Sequence, residues 1–146
     1  MKKFIKKILV KLKILKAPES YSLRDESIQI LNNKAYTVNA DENGVRISSD
    51  KLTIEGKSEN TLWTSAAVLC SEDYHFADAD QKYVVFDIGL NIAVTSLYLS
   101  QQKNIVKIYG FEPFKETFLQ AEQNLLLNPE LATKIQIFNF GLSDAD

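Results

Sequence analysis

Apolar and polar positions change their spacing twice along the chain, and each change marks a different kind of segment. In residues 1–18, Phe4, Ile5, Ile8, Leu9, Leu12 and Leu15 recur at steps of three and four with lysines between them. That spacing predicts an amphipathic helix ended near Pro18. From Glu19 to Asn60 the chain is polar and turn-rich. Three short stretches, Lys34–Val38, Gly44–Ile47 and Leu52–Glu55, alternate apolar and polar residues, the pattern of a small antiparallel sheet. Asp41-Glu42-Asn43-Gly44 and Ser48-Ser49-Asp50 supply the turns. Leu62, Trp63, Ala66, Ala67, Leu69 and Cys70 give Thr61–Ser71 a broad apolar helical face, with capping candidates in Ser58 to Asn60.

Beyond Lys82 the pattern becomes regular. Tyr83-Val84-Val85-Phe86 is a continuous apolar run, expected of a strand buried on both faces, and Asp87-Ile88-Gly89 ends it. A helix over Ile92–Ser100, a strand over Ile105–Phe111, a helix over Phe114–Leu127 and a strand over Lys134–Phe140 follow. The order β-α-β-α-β requires crossover connections, which are right-handed almost without exception, so the strands lie parallel with helices covering the faces. The fold class expected is α/β: a Rossmann-like sheet present as its first three parallel strands, preceded by a small antiparallel and helical region. Three segments result: a basic amphipathic helix over 1–18, an α+β region over 19–82 and a nucleotide-binding unit over 83–146. No repeat period is visible.

In doubly wound sheets ligands bind beyond the carboxyl ends of the strands. Those ends here are Asp87 to Asn91, Glu112 to Phe114 and Gly141 to Asp144. Gly89 lacks a Cβ, so its turn can bend sharply and a ligand can approach the backbone, while the amides of the following helix start suit a carboxylate or phosphate. Glu112, directly after the second strand, stands where an acid accepts hydrogen bonds from paired ribose hydroxyls. Asp87 can accept from an ammonium, and Phe114 can cover an adenine ring. Capping or loop solvation is the alternative for either acid, and two acids at successive strand ends favour the ligand reading.

The segment Val84-Val85-Phe86-Asp87-Ile88-Gly89-Leu90-Asn91-Ile92-Ala93 resembles the first motif of FkbM-type methyltransferases, D-x-G-A-N-x-G. Tyr109-Gly110-Phe111-Glu112-Pro113-Phe114 is similar to the family's second-strand motif. Asn124 and Asn128 resemble its N-x-x-x-N, and Gly141-Leu142-Ser143-Asp144 the segment after its third strand. The resemblance covers residues 83–146 and, more weakly, the helix ending in Tyr74. It implies methyl transfer from S-adenosylmethionine to a hydroxyl, on a sugar, other glycan or small-molecule acceptor. It also implies a cofactor site made of Asp87, Gly89, Asn91, Ala93, Glu112, Phe114, Ser143 and Asp144. Leu90 replaces the usual Ala and Ala93 the final Gly, putting a methyl group and a restricted φ where the helix start meets strand and cofactor. A complete sheet of this type continues past the third strand. The acceptor half is therefore absent from the expected site, no catalytic base is named, and a free sheet edge is available for self-association.

Composition narrows the alternatives. A chain of 146 residues with 45% hydrophobic side chains can fill one packed core. Residues 1–18 hold seven lysines and no acid, leaving ten basic against nineteen acidic residues, a net of −9 for the remainder. That excludes a nucleic-acid partner, whose phosphates need concentrated positive charge. One cysteine and one histidine give no metal-ligand cluster and no internal disulfide, which fits the cytoplasm; Cys70 reads as core, and His75 as structural or surface. The N-terminal helix is too lysine-rich to span a bilayer. It either packs on protein or, through residues 1–17, lies on the inner face of a membrane. A dinucleotide oxidoreductase is disfavoured, because Asp87 to Ala93 holds one glycine where G-x-G-x-x-G needs three. The competing class is a catalytically inert binding or membrane-associated module that retains the fold.

Overall fold

The computed structural model describes residues 23–71, 73, 74 and 80–142. The expected helix over 1–18, His75, Ser143 and Asp144 lie outside the described residues. The described residues begin with helix α1 (Leu23–Asn33), followed by strands β1 (Thr37–Asp41), β2 (Gly44–Ser48) and β3 (Thr53–Gly56), and helix α2 (Asn60–Leu69). The second half runs β4 (Tyr83–Ile88), α3 (Val94–Ser100), β5 (Ile105–Phe111), α4 (Lys115–Leu126), α5 (Pro129–Ala132) and β6 (Ile135–Phe138). Two sheets form, antiparallel β1-β2-β3 and parallel β4-β5-β6. The α/β class and the β-α-β-α-β order stand as the sequence predicts, and β5 has the expected bounds.

Local chemistry accounts for most of these elements. The β1–β2 hairpin turns on Glu42-Asn43, where the Asp41 carboxylate accepts the Asn43 N–H at 2.8 Å and Gly44 takes φ +146°. Strand β2 alternates, with Val45 and Ile47 buried and Arg46 exposed beside Glu55 of β3, to which it is ion-paired. Helix α2 buries Leu62, Ser65, Ala66 and Leu69, a face at three- and four-residue steps. One continuous core joins the halves: Leu31, Ile47, Ile54 and Leu62 cluster with Leu90, Leu97, Ile105 and Ile108. Each such side chain contributes roughly 1.5–3 kcal/mol on burial.

Four expectations need correction. Helix α1 occupies part of an expected loop and a turn at Lys34 and Ala35 takes the start of an expected strand, moving β1 from Lys34–Val38 to Thr37–Asp41. The signals for the helix were acids Asp25 and Glu26 in its first turn and a narrow inward face of Ser27 and Leu31. Helix α2 starts at Glu59 without any side-chain cap, so Ser58 to Asn60 do not cap it through side chains. Strand β6 is shorter than Lys134–Phe140.

The fourth correction concerns β4, which is covered on one face only. Val84, Phe86 and Ile88 are 53%, 62% and 67% exposed. The strand order β4-β5-β6 explains this: two successive right-handed crossovers stepping in one direction place both helices on the same side. The other side carries an aromatic ladder. Phe86 lies 5.5 Å from Tyr109 and 6.3 Å from Phe111, and Phe111 stacks on Phe138 at 5.3 Å.

Candidate functional site

At the carboxyl ends of β4 and β5 three loops are tied to one another by backbone hydrogen bonds. The amides of Gly89 and Leu90 both donate to the Phe111 carbonyl, at 3.0 and 2.9 Å, so the chain leaving β4 folds over the end of β5. Glu112 N–H donates to the Phe138 carbonyl, and Asn139 Nδ2 donates to the Glu112 carbonyl at 2.8 Å, joining β5 to the exit of β6. The loops after β4 and β5 thus meet at one edge with Asn139 beside them, while the expected third loop, Gly141 to Asp144, is described only as far as Leu142.

Glu112 is the centre of this junction. Its side chain is buried, yet both carboxylate oxygens are used: Oε2 accepts the Asn91 N–H at 2.9 Å and Oε1 the Phe114 N–H at 3.0 Å. Each oxygen keeps a second lone pair, so the carboxylate can brace the two loops and still accept from a ligand hydroxyl pair. Phe114 caps α4 in extended backbone and projects into solvent, 72% exposed, as an apolar platform beside that acid.

The β4–α3 loop has three consecutive odd positions in left-handed backbone: Gly89 at φ +84°, Asn91 at +53° and Ala93 at +69°. Gly89 is the position where a ligand can approach, because a Cβ built there meets nothing within 4 Å. Asn91 tolerates its conformation through its own side chain, whose Oδ1 accepts the Ile92 N–H at 2.8 Å. Ala93, where the motif has glycine, takes this left-handed backbone as a non-glycine, fully buried, its N–H on the Leu90 carbonyl. Leu90, the other departure, is explained by Gly110. A Cβ on Gly110 would stand 2.7 Å from Leu90 Cδ1, so the large side chain fills the space that glycine in β5 leaves open.

Asp87, the acid expected to accept from an ammonium, also serves within the protein. Oδ2 accepts the Ser96 hydroxyl at 2.6 Å, anchoring α3 to β4. Burial raises the Asp87 carboxyl above its ordinary value, and the Ser96 hydrogen bond opposes that rise. Sequence reasoning did not find Ser96; its signal is a polar residue on the buried face of α3, two positions after its first residue.

Beside Asn91 a polar cleft of about 810 Å³ opens between α2 and α4, lined by Lys57, Ser58, Thr64 and Gln123 among others. Among the described residues no group of three His, Cys, Asp or Glu could hold a metal ion. Among them, too, no helix is long and apolar enough to cross a membrane. Cys70 is buried core, and desolvation pushes its thiol up to about 11 despite Lys34 nearby.

No family model matches the chain. One stretch of 63 residues is 35% identical to the AMB antimetabolite synthetase AmbE of Pseudomonas aeruginosa, covering 43% of this chain and 3% of that protein. Among solved structures, PH0793 of Pyrococcus horikoshii, a proposed transferase, superposes over 97% of this chain and 64% of its own, with 12% identity and a TM-score of 0.51. TYW2 of P. horikoshii, crystallised with MeSAdo, matches over 100% of this chain and 66% of its own, with 13% identity and a TM-score of 0.49. The chain thus spans about two-thirds of these structures and a small part of the synthetase. The likeness to PH0793 establishes a shared α/β fold.

Proposed function

We propose that this chain is the cofactor-holding part of an S-adenosylmethionine-dependent methyltransferase, of FkbM type by its motifs, acting with further structure on a hydroxyl of a sugar, other glycan or small-molecule acceptor. The observation that carries this reading is the junction at the strand ends. A buried carboxylate with spare acceptor capacity, an open glycine turn and an exposed phenylalanine stand together on tied loops. Glu112 would receive the ribose diol, Phe114 would lie against the adenine, and the Gly89–Asn91 backbone would admit the amino-acid end. S-adenosylmethionine, when bound, supplies an electrophilic methyl group. The work of the protein is to hold it in one orientation, and most of the gain from such placement is entropic. Asp87 is read as the strut for α3 rather than as a contact to the ammonium.

Isothermal titration of the full chain with S-adenosylmethionine and S-adenosylhomocysteine tests this: saturable heat from both supports it, and no saturation at millimolar ligand sinks it. The uncovered aromatic face of the parallel sheet favours a second reading, a binding module that keeps the fold without catalysis. Cofactor binding without methyl transfer in the presence of any added partner would favour that reading.

A further inference from the structure

Strand β3 is an edge strand, and its outward backbone groups at Thr53 and Glu55 are satisfied by two asparagines, Asn124 in the last turn of α4 and Asn128 just after that helix. Asn124 Oδ1 accepts the Glu55 N–H at 2.8 Å while its Nδ2 donates to the Glu55 carbonyl at 3.0 Å. Asn128 repeats the pattern on Thr53, at 2.8 and 2.6 Å. The match is geometric: Leu127, the C-cap of α4, still has helical backbone at φ −70° and ψ −16°, so Asn128 follows Asn124 at about one helical turn. That is a rise of about 6 Å against about 6.8 Å for two residues of strand, and the two amides meet alternate residues of the strand edge.

Asn124 does one thing more. Its Nδ2 also donates to the Ile92 carbonyl at 2.9 Å, and it is completely buried. Ile92 sits between the left-handed residues Asn91 and Ala93. Such backbone persists only where surrounding contacts over-determine it. Here the contacts are Glu112 on the Asn91 amide, Leu90 on the Ala93 amide and Asn124 on the carbonyl between them. The geometry points to Asn124 as a positioning residue: through one side-chain amide, the edge of the N-terminal sheet fixes the shape of the β4–α3 loop, so that sheet is part of the binding apparatus. The inference rests on reading the loop as the cofactor loop. Asn128, which touches Thr53 and the Asn124 carbonyl but not the loop, provides a matched control.

The test compares Asn124→Leu and Asn128→Leu in the full chain by urea unfolding, residue-resolved amide exchange without ligand, and titration with S-adenosylhomocysteine. Both variants are expected to lower the urea midpoint. Only Asn124→Leu should speed exchange at Asn91 and Ala93 relative to the global rate, by about fivefold, and weaken ligand binding by a similar factor, as loss of one hydrogen bond implies. Unchanged loop exchange in Asn124→Leu, or an equal change in Asn128→Leu, would overturn the inference. Should Asn124→Leu fail to fold, Asn124→Asp at pH 8 keeps the acceptor for Glu55 and removes the donors, with the same exchange readout. If the wild-type chain binds no ligand, the functional reading falls, and loop exchange still decides the role of Asn124.

Discussion

Among the described residues three non-glycines hold left-handed backbone, and they differ in what offsets the strain. Ala35 ends α1 at φ +63°, exposed, with its N–H on the Asn32 carbonyl. Nothing compensates its methyl group. Replacing it with glycine releases about 1–2 kcal/mol of steric cost against about 0.4–1 kcal/mol of added unfolded-state entropy. Ala35→Gly should therefore raise stability by about 0.5–1 kcal/mol in urea titration. Ala93→Gly should gain less, because the same release is offset by loss of a buried methyl worth about 0.8 kcal/mol. At Cys70 the sign of the pH dependence follows from the raised thiol value. An acid whose folded value lies near 11 against an ordinary 9 contributes stability that is complete below pH 9 and lost as pH rises to 11. The urea midpoint of wild type should fall more steeply over that window than that of Cys70→Ala, and the thiol should resist alkylation at pH 8 until the chain unfolds.

Between elements, the β4–α3 loop packs its largest side chain on β5 through one complementary pair, Leu90 and Gly110. Gly110→Ala forces a contact with Leu90 that native packing does not allow, for a loss of about 1–3 kcal/mol. Leu90→Ala alone opens a cavity and costs about 2–5 kcal/mol. The double variant should lose less than the sum of the two, and a double-mutant cycle from denaturant unfolding measures the coupling. This pair also shows what was legible in the sequence. The β-α-β-α-β order was readable because Val84-Val85-Phe86 and Ile105–Phe111 are apolar runs separated by helical spacing. Glu112 and Gly89 could be singled out because they stand directly at strand ends, where the structure also has them. The role of Asn124 was hidden, since a hydrogen bond to Glu55, 69 residues away, has no local signature. The coverage of β4 was misread for a related reason. An apolar run states that a strand avoids water but not which neighbour covers it, and that depends on the order of strands in the sheet.

Across the whole molecule, the helices and the N-terminal sheet gather on one side of β4-β5-β6, leaving Val84, Phe86, Ile88 and Val106 in solvent on the other. Contiguous exposed apolar surface of this kind marks sites of association. Phe86→Thr combined with Ile88→Thr should reduce binding of a hydrophobic dye and flatten the concentration dependence of the sedimentation coefficient, with only a small change in unfolding midpoint, because little burial is lost.

The asparagine seal on β3 has a consequence in time as well as in space. Thr53 and Glu55 leave the ribosome well before the helix that completes them, as Thr53 and Asn128 are 75 residues apart. At synthesis rates of about 5–20 residues per second, the edge of the nascent antiparallel sheet stands open for some seconds, with unpaired amides and carbonyls available to any extended segment nearby. The same two side chains that complete the native strand edge therefore close the interval in which that edge is open to wrong pairing.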